Sequence, residues 1–353
     1  MRHYVTPLCT PTRVALMTGR HPVHNGMQHR VIYGAEPRGL PLNERLLPQY
    51  LAPLGYDCHI VGKWHLGHFR TEYTPTRRGF LTHIGPWTGH HDYFDHTAVE
   101  ASYWGLDMRR GLEPAWDLHG KYTTDIIAEE AVARVEAHNA SHPLFLYIAH
   151  VAPHSGNPYN PIPAQDAEID KMAHIGDRKR RRYAAAVHSL DESVGKVVEA
   201  LAQKDMLKDS LILFSNDNGG AAAGFNINAA SNWPLRGVKN TLWEGGVRGA
   251  TVLWGSPRWL QGEPRLAHNL MHVTDWLPTL LAAANGSAPQ GIDGVDQWAV
   301  LSGPEDVDEE AARSEVLHNV DPIIGNAALT VGHWKLVTGQ CSFNCSFLGL
   351  AVL

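Results

Sequence analysis

Tyr56-Asp57-Cys58-His59-Ile60-Val61-Gly62-Lys63-Trp64-His65-Leu66-Gly67 is an apolar run that ends in a cluster of polar and glycine residues. It reads as a buried strand that opens into a loop. A helix is expected just before it. Asn43 is placed to cap that helix, Leu46, Leu47, Tyr50, Leu51 and Leu54 share one face, and Gly55 stops it, with Pro48 and Pro53 making it irregular. The pattern recurs twice. Ile127, Ala128, Ala131, Val132 and Val135 form a helical stripe before an apolar strand from Leu144 to His150, which runs into Pro153-His154. Val187, Leu190, Val194, Val197 and Leu201 do the same before Ser210 to Ser215, which runs into Asn216-Asp217-Asn218-Gly219-Gly220. Helix followed by buried strand predicts an α/β sheet, and the polar ends of such strands are where open α/β sheets bind ligands.

From about Glu315 the long helices give way to short strand-like pieces, 315–320, 327–331 and 334–337, which predict a small second domain. The expected division is a main domain over 1–310 and a partial C-terminal subdomain over 311–353.

Composition narrows the function. A chain of 353 residues with 44% hydrophobic and 19% charged residues buries a sizeable core. A formal charge of −6 argues against a nucleic-acid partner held by bulk charge. The basic run Arg178-Lys179-Arg180-Arg181-Arg182 reads either as a solvated helix start or as a patch for a polyanion. No stretch is long and apolar enough to span a bilayer; the run from Phe347 to Leu353 is too short. Cys9, Cys58, Cys341 and Cys345 are too few and too scattered for a disulfide scaffold or a zinc knuckle. Sequons at Asn139, Asn285 and Asn344 suit a secreted or lysosomal glycoprotein, although no secretory leader precedes Cys9 in the sequence as written.

The chemistry concentrates in Cys9-Thr10-Pro11-Thr12-Arg13-Val14-Ala15-Leu16-Met17-Thr18-Gly19-Arg20. Thr10 is predicted to cap a helix with Pro11 at its first position and Gly19 after its last turn. Cys9 then sits at a helix N-terminus, which favours an anion, with Arg13 one turn on. Taken alone, Cys9 reads better as a buried, inert thiol.

This segment resembles the type I sulfatase signature C-x-P-x-R followed by T-G-R, the recognition sequence for oxidation of the cysteine to formylglycine. Gly62-Lys63-Trp64-His65-Leu66-Gly67 resembles the second signature of that family. Asp217-Asn218-Gly219-Gly220, the stretch from Asn232 to Lys239 and the stretch from Trp243 to Gly249 resemble its metal-binding and sulfate-binding segments. Pro75-Thr76-Arg77-Arg78-Gly79-Phe80, Asp275-Trp276-Leu277-Pro278-Thr279 and His318-Asn319-Val320-Asp321-Pro322 look most like the branch of arylsulfatases B, I and J.

The resemblance implies an alkaline-phosphatase-like α/β fold: a large mixed sheet flanked by helices, with the start of a small C-terminal antiparallel domain. It implies a sulfuric ester hydrolase in which Cys9 becomes the formylglycine nucleophile. One hydroxyl of the hydrate attacks sulfur; the other then loses its proton and expels sulfate as the aldehyde re-forms. Arg13 is expected to hold the hydrate and His65 to act as acid and base. Lys63, His154 and Lys239 are expected to bind the sulfate and its leaving oxygen. Taken singly, the lysines also read as surface residues, and His154 as one of 22 histidines.

Asp217 and Asn218 are expected to ligate one Ca²⁺, though an Asx pair before Gly-Gly is also an ordinary turn. The implied partners are a sulfated carbohydrate or aryl sulfate and the formylglycine-generating enzyme, with the 4-sulfate of N-acetylgalactosamine in dermatan or chondroitin sulfate as substrate. Two departures stand out. The family's further Asp pair upstream of the cysteine is absent, since only eight residues precede Cys9 and none is acidic. The segment from Gln340 to Leu353 fits no pattern of the family. The expectation is an N-terminally truncated chain that binds Ca²⁺ weakly. A phosphoester or phosphonate hydrolase of the same superfamily and a catalytically inactive chain are the alternatives.

Overall fold

The structure is a computed structural model that describes residues 2–34, 36–100, 102–304, 313–341, 345–346 and 349–352. The sequon at Asn344 and the boundary expected at 310/311 lie outside the described residues. The other two sequons, Asn139 and Asn285, are exposed.

The elements begin with β1 (Arg2–Tyr4), α1 (Cys9–Thr18), α2 (Leu47–Leu51), β2 (Asp57–Gly62) and β3 (Thr82–Gly85). Then come β4 (Thr97–Glu100), β5 (Tyr103–Leu106), β6 (Arg109–Arg110), β7 (Glu113–Pro114), α3 (Thr123–Ala137) and β8 (Leu144–Ala149). They continue with α4 (Asp166–Lys171), α5 (Arg178–Gln203), β9 (Leu211–Ser215), α6 (Glu244–Val247), β10 (Thr251–Gly255), β11 (Leu270–His272) and α7 (Trp276–Ala283). After the short helix α8 (Trp298–Ser302), strands β12 (Glu315–Asp321), β13 (Asn326–Val331), β14 (Trp334–Cys341), β15 (Cys345–Ser346) and β16 (Gly349–Val352) close the chain.

Two compact units emerge. One comprises Ile32–Leu207 and Ala221–Ser231. Its sheet has the order β7-β6-β3-β2-β8, with β2 parallel to both β3 and β8. Central β2 buries Cys58, Ile60 and Val61, while α3 and α5 pack on each other and α3 packs on the sheet. Val61, Ile84, Tyr93, Met108, Ile126 and Ile127 belong to its core. The runs predicted as strands over 56–61 and 144–150 are found as β2 and β8; β2 lies between β3 and β8 and is largely buried, whereas β8 stands at the edge of this sheet and, against expectation, only its Ala149 is buried. The first helix differs from expectation. Leu46, and not Asn43, precedes it, and the Gln49 side chain accepts the Leu46 N–H at 3.0 Å. Pro53 confines the helix to one turn, with a 3₁₀ turn at Ala52–Leu54 before Gly55 reverses the chain at φ +89°.

The basic run starts α5, capped by the Asp177 side chain, which accepts the Arg180 N–H at 2.7 Å. Three of its guanidinium groups donate to carbonyls: Arg180 to Ala229, Arg181 to Ile175 and Arg182 to Ile162, at 2.7–2.8 Å. The run therefore serves mainly to fasten loops to the helix.

The other unit comprises Met1–Val31, Lys208–Gly220 and Asn232–Leu353. It holds the parallel pair β1–β11, the antiparallel pair β9–β10 and an antiparallel sheet built on β12-β13-β14. The predicted short strands after Glu315 are thus confirmed, and β14 runs further than expected. Lys335 of β14 is wholly buried, with Nζ 2.7 Å from Glu244 Oε1, and the Tyr4 hydroxyl donates to Glu244 Oε2 at 3.1 Å. Glu244 belongs to the Trp243–Gly249 segment that the sequence reading assigned to metal and sulfate binding; here its carboxylate joins β1, α6 and β14. Lys335→Ala is expected to cost about 1–3 kcal/mol in chemical denaturation, because the mostly enclosed Glu244 carboxylate loses its 2.7 Å partner and keeps only the Tyr4 hydroxyl and Arg248 at 3.8 Å. The double variant Lys335→Met/Glu244→Leu should regain most of that loss. Equal stability of Lys335→Ala and wild type would show the pair to be idle.

Candidate active site

Helix α1 begins at Cys9, not after Thr10. Leu8, extended at φ −141° and ψ 157°, is the last residue outside it, and Gly19 closes it in the left-handed region at φ +64°. The reason lies in hydrogen bonding. Thr12 N–H already reaches Leu8 C=O at 3.2 Å, so Cys9 is the first helical residue and Pro11 the third, where a missing N–H costs nothing. Cys9 is 2% exposed, and no acidic residue in the first turn opposes the positive end of the helix dipole.

The strand end after β9 supplies its neighbours. The Cys9 thiol donates to Asn218 Oδ1 at 3.2 Å. Arg13 Nε and Nη2 both donate to Asp217 Oδ2, at 3.2 and 3.1 Å, and the Thr12 hydroxyl donates to Asp217 C=O at 2.5 Å. The Asx pair is held in turn by its own loop. Asn216 Nδ2 donates to Asn218 C=O at 3.0 Å, and Gly219 N–H donates to Gly246 C=O at 2.9 Å. Gly219 admits no side chain, since a Cβ there lies 1.8 Å from Gly245 C=O. Lys239 is 2% exposed, and its N–H donates to Gly220 C=O at 3.1 Å. Asn232 brackets the same glycine, accepting its N–H at 2.7 Å and donating to its C=O at 2.8 Å. Five predicted residues, Cys9, Arg13, Asp217, Asn218 and Lys239, thus belong to one unit. The first four form one hydrogen-bonded set.

Lys63, His65 and His154 belong to the other unit. Lys63 is 2% exposed and follows β2 through Gly62, at φ +109°, where a Cβ meets Ala149 C=O at 2.1 Å; Lys63 N–H donates to that same carbonyl at 2.7 Å. His65 is buried, with a left-handed backbone at φ +60° and Nε2 2.9 Å from Ile32 C=O. His154 Nδ1 lies 2.8 Å from Ser155 C=O, and its Nε2 lies 3.2 Å from Asn226 Nδ2. Sequence reading missed His90, whose ring stacks on His154 at 6.3 Å. Burial, and secondarily the charge of Lys63, hold its imidazole below its ordinary range. No sequence pattern marks His90 or Asn226.

Asp217 and Asn218 fit Ca²⁺ in kind, being hard oxygen donors, but not in number, since the ion takes six to eight. Arg13 already pairs with Asp217 at 3.1 Å, and the Cys9 thiol already occupies Asn218 Oδ1.

The sulfatase family model, described as Sulfatase, matches residues 1–287. The chain belongs to the sulfatase family. Members of this family usually bind a metal. Among similar sulfatases, mouse arylsulfatase J is 37% identical over 97% of the chain and 58% of its own length. Human N-acetylgalactosamine-6-sulfatase is 31% identical over 84% of the chain and 57% of its own length. The chain therefore spans a little over half of these relatives. The crystal structure of Ps i-CgsB in complex with k-i-k-neocarrahexaose matches with a TM-score of 0.81 at 28% identity, covering 95% of the chain and 74% of that structure. The putative sulfatase yidJ from Bacteroides fragilis shares the fold, with a TM-score of 0.74 at 19% identity, 99% of the chain and 80% of that structure. The alkaline-phosphatase-like fold expected from the sequence is thereby established.

Proposed function

We propose that the protein is a sulfuric ester hydrolase acting on sulfated carbohydrates or aryl sulfates, with a formylglycine made from Cys9 as nucleophile. The observation that carries this reading is the placement of Cys9 at the first residue of α1, bonded to Asn218 and one turn from Arg13. A helix start with a guanidinium beside it stabilises the anionic form of a group at position 9. In this reading Arg13 orients that group, His65 moves protons, and Lys63, His154 and Lys239 bind sulfate oxygens. Asp217 and Asn218 supply oxygen ligands to a metal. We assign the 4-sulfate of N-acetylgalactosamine as substrate, and the relative named N-acetylgalactosamine-6-sulfatase supports the sugar. A lysosomal or secreted location belongs to the same reading.

A second reading, a chain that does not turn over sulfate esters, is favoured by the Arg13–Asp217 pairing and the count of two oxygen ligands. One experiment separates them. The protein is co-expressed with formylglycine-generating enzyme, the Cys9 peptide is weighed, and hydrolysis of a chromogenic aryl sulfate and of 4- and 6-sulfated N-acetylgalactosamine is followed. The expected result is a Cys9 peptide lighter by the thiol-to-aldehyde difference and faster release from the 4-sulfate. Turnover with Cys9 wholly a thiol sinks the nucleophile assignment. No turnover, together with a Tm unmoved by millimolar Ca²⁺, favours the second reading, because only a ligand that binds the native state raises Tm.

A further inference from the structure

Helices α4 and α5 bring together a set of side chains that the reaction does not use. His188 and Glu192 lie one turn apart on α5, and Glu168 faces them from α4. Their donor atoms all fall within 4.8 Å of one another. Glu168 is 7% exposed. Its Oε2 lies 2.7 Å from His188 Nδ1, both atoms are shut off from solvent, and yet neither makes a hydrogen bond of acceptable geometry. Two buried Lewis bases side by side, and not directed at each other, are arranged as ligands converging on a third atom. Glu192 Oε1 stands 3.7 Å from the same imidazole nitrogen.

A cation is already drawn there. Lys171 Nζ lies 2.9 Å from Glu168 Oε1 and 3.1 Å from Glu192 Oε1. With a neutral imidazole, two carboxylates and one ammonium leave a net charge of −1; a divalent ion in place of the ammonium leaves zero. Lys171 is half exposed on a flexible stem and can swing out to water. One imidazole nitrogen and two carboxylates suit a first-row divalent ion such as Zn²⁺, with further positions open to water, and do not suit Ca²⁺, which prefers oxygen alone. These donors differ in kind from Asp217 and Asn218 and belong to the other unit.

We propose that Glu168, His188 and Glu192 form a Zn²⁺-class site that clamps α4 to α5 and that Lys171 holds closed in the absence of the ion. The inference does not rest on the hydrolase reading. The test is Zn²⁺ titration of the whole chain by calorimetry, with thermal unfolding in parallel, for wild type, His188→Gln and Lys171→Met. The replaced side chains are a third to half exposed, so the variants should fold. The expected result is one saturable equivalent in wild type that raises Tm, binding about tenfold weaker in His188→Gln, and binding about tenfold tighter in Lys171→Met, where the competing ammonium is gone. Equal affinities in the three proteins, or weaker binding in Lys171→Met, would overturn the site and leave the cluster as an ion-paired staple.

Discussion

Lys239→Ala and His154→Ala are each expected to slow sulfate ester hydrolysis by about 10²–10³, against the zero set by Cys9→Ala. The argument starts from preorganisation. Lys239 is almost wholly buried, and its backbone is tied to Gly220, which Asn232 grips from both sides. An ammonium held in that way needs little reorganisation when negative charge moves onto a leaving oxygen, and low local polarity strengthens its effect. His154 is oriented by Ser155 and Asn226, so Asn226→Ala should give a smaller loss, through misalignment. Lys239→Arg should recover part of the rate by restoring the charge. Steady-state kinetics on an aryl sulfate, with folding checked by circular dichroism, measures all of these. Near-normal kcat/KM in both alanine variants would show that the roles assigned from the family do not transfer to these positions.

The parts of this molecule that the sequence disclosed are those governed by local rules. Apolar runs that end in polar clusters marked β2, β8 and β9, and the Cys9–Arg20 segment marked α1 and its chemistry. That helix starts two residues before the expected position, because Thr10 is a good capping residue by type, whereas the extended backbone of Leu8 makes the turn earlier. What stayed hidden depends on partners distant in sequence. That Glu244, inside the Trp243–Gly249 stretch, is paired with Lys335, 91 positions later, is one such case. The Arg178–Arg182 run does start a helix, as one of its two readings had it, but that three of its guanidiniums hold loop carbonyls was not legible. His188 and Glu192 at helical spacing were a legible pair, but Glu168 joins them only through the packing of α4 on α5, which no periodicity reveals.

Acid is expected to unfold this protein cooperatively between pH 6.5 and about 4. His3 and His21 in one unit, and His83 and His96 in the other, are buried. Burial pulls His3 down from 6.5 to about 3 and the other three to about 4, even though Asp293 near His21 and Asp107 near His83 act in the opposite direction. Hydrogen bonding agrees for His3: its Nε2 accepts the Trp276 indole N–H at 2.9 Å, and indole only donates, so a proton placed on Nε2 breaks that bond. In the unfolded chain each imidazole titrates near its ordinary value, so below pH 6.5 the unfolded state takes up protons that the folded state refuses. The stability held in these neutral rings is therefore complete above about pH 6.5 and lost as pH falls towards the folded values. One pH unit below 6.5, each ring forfeits about 1.4 kcal/mol, so two per unit remove about 3 kcal/mol, a large share of the ~5–15 kcal/mol typical of a domain. Thermal scans from pH 7.5 to 4.5 should show Tm falling steeply below 6.5, and His83→Gln should flatten that slope. A Tm constant down to pH 5 would mean that these rings are protonated, or reached by water, in the folded protein.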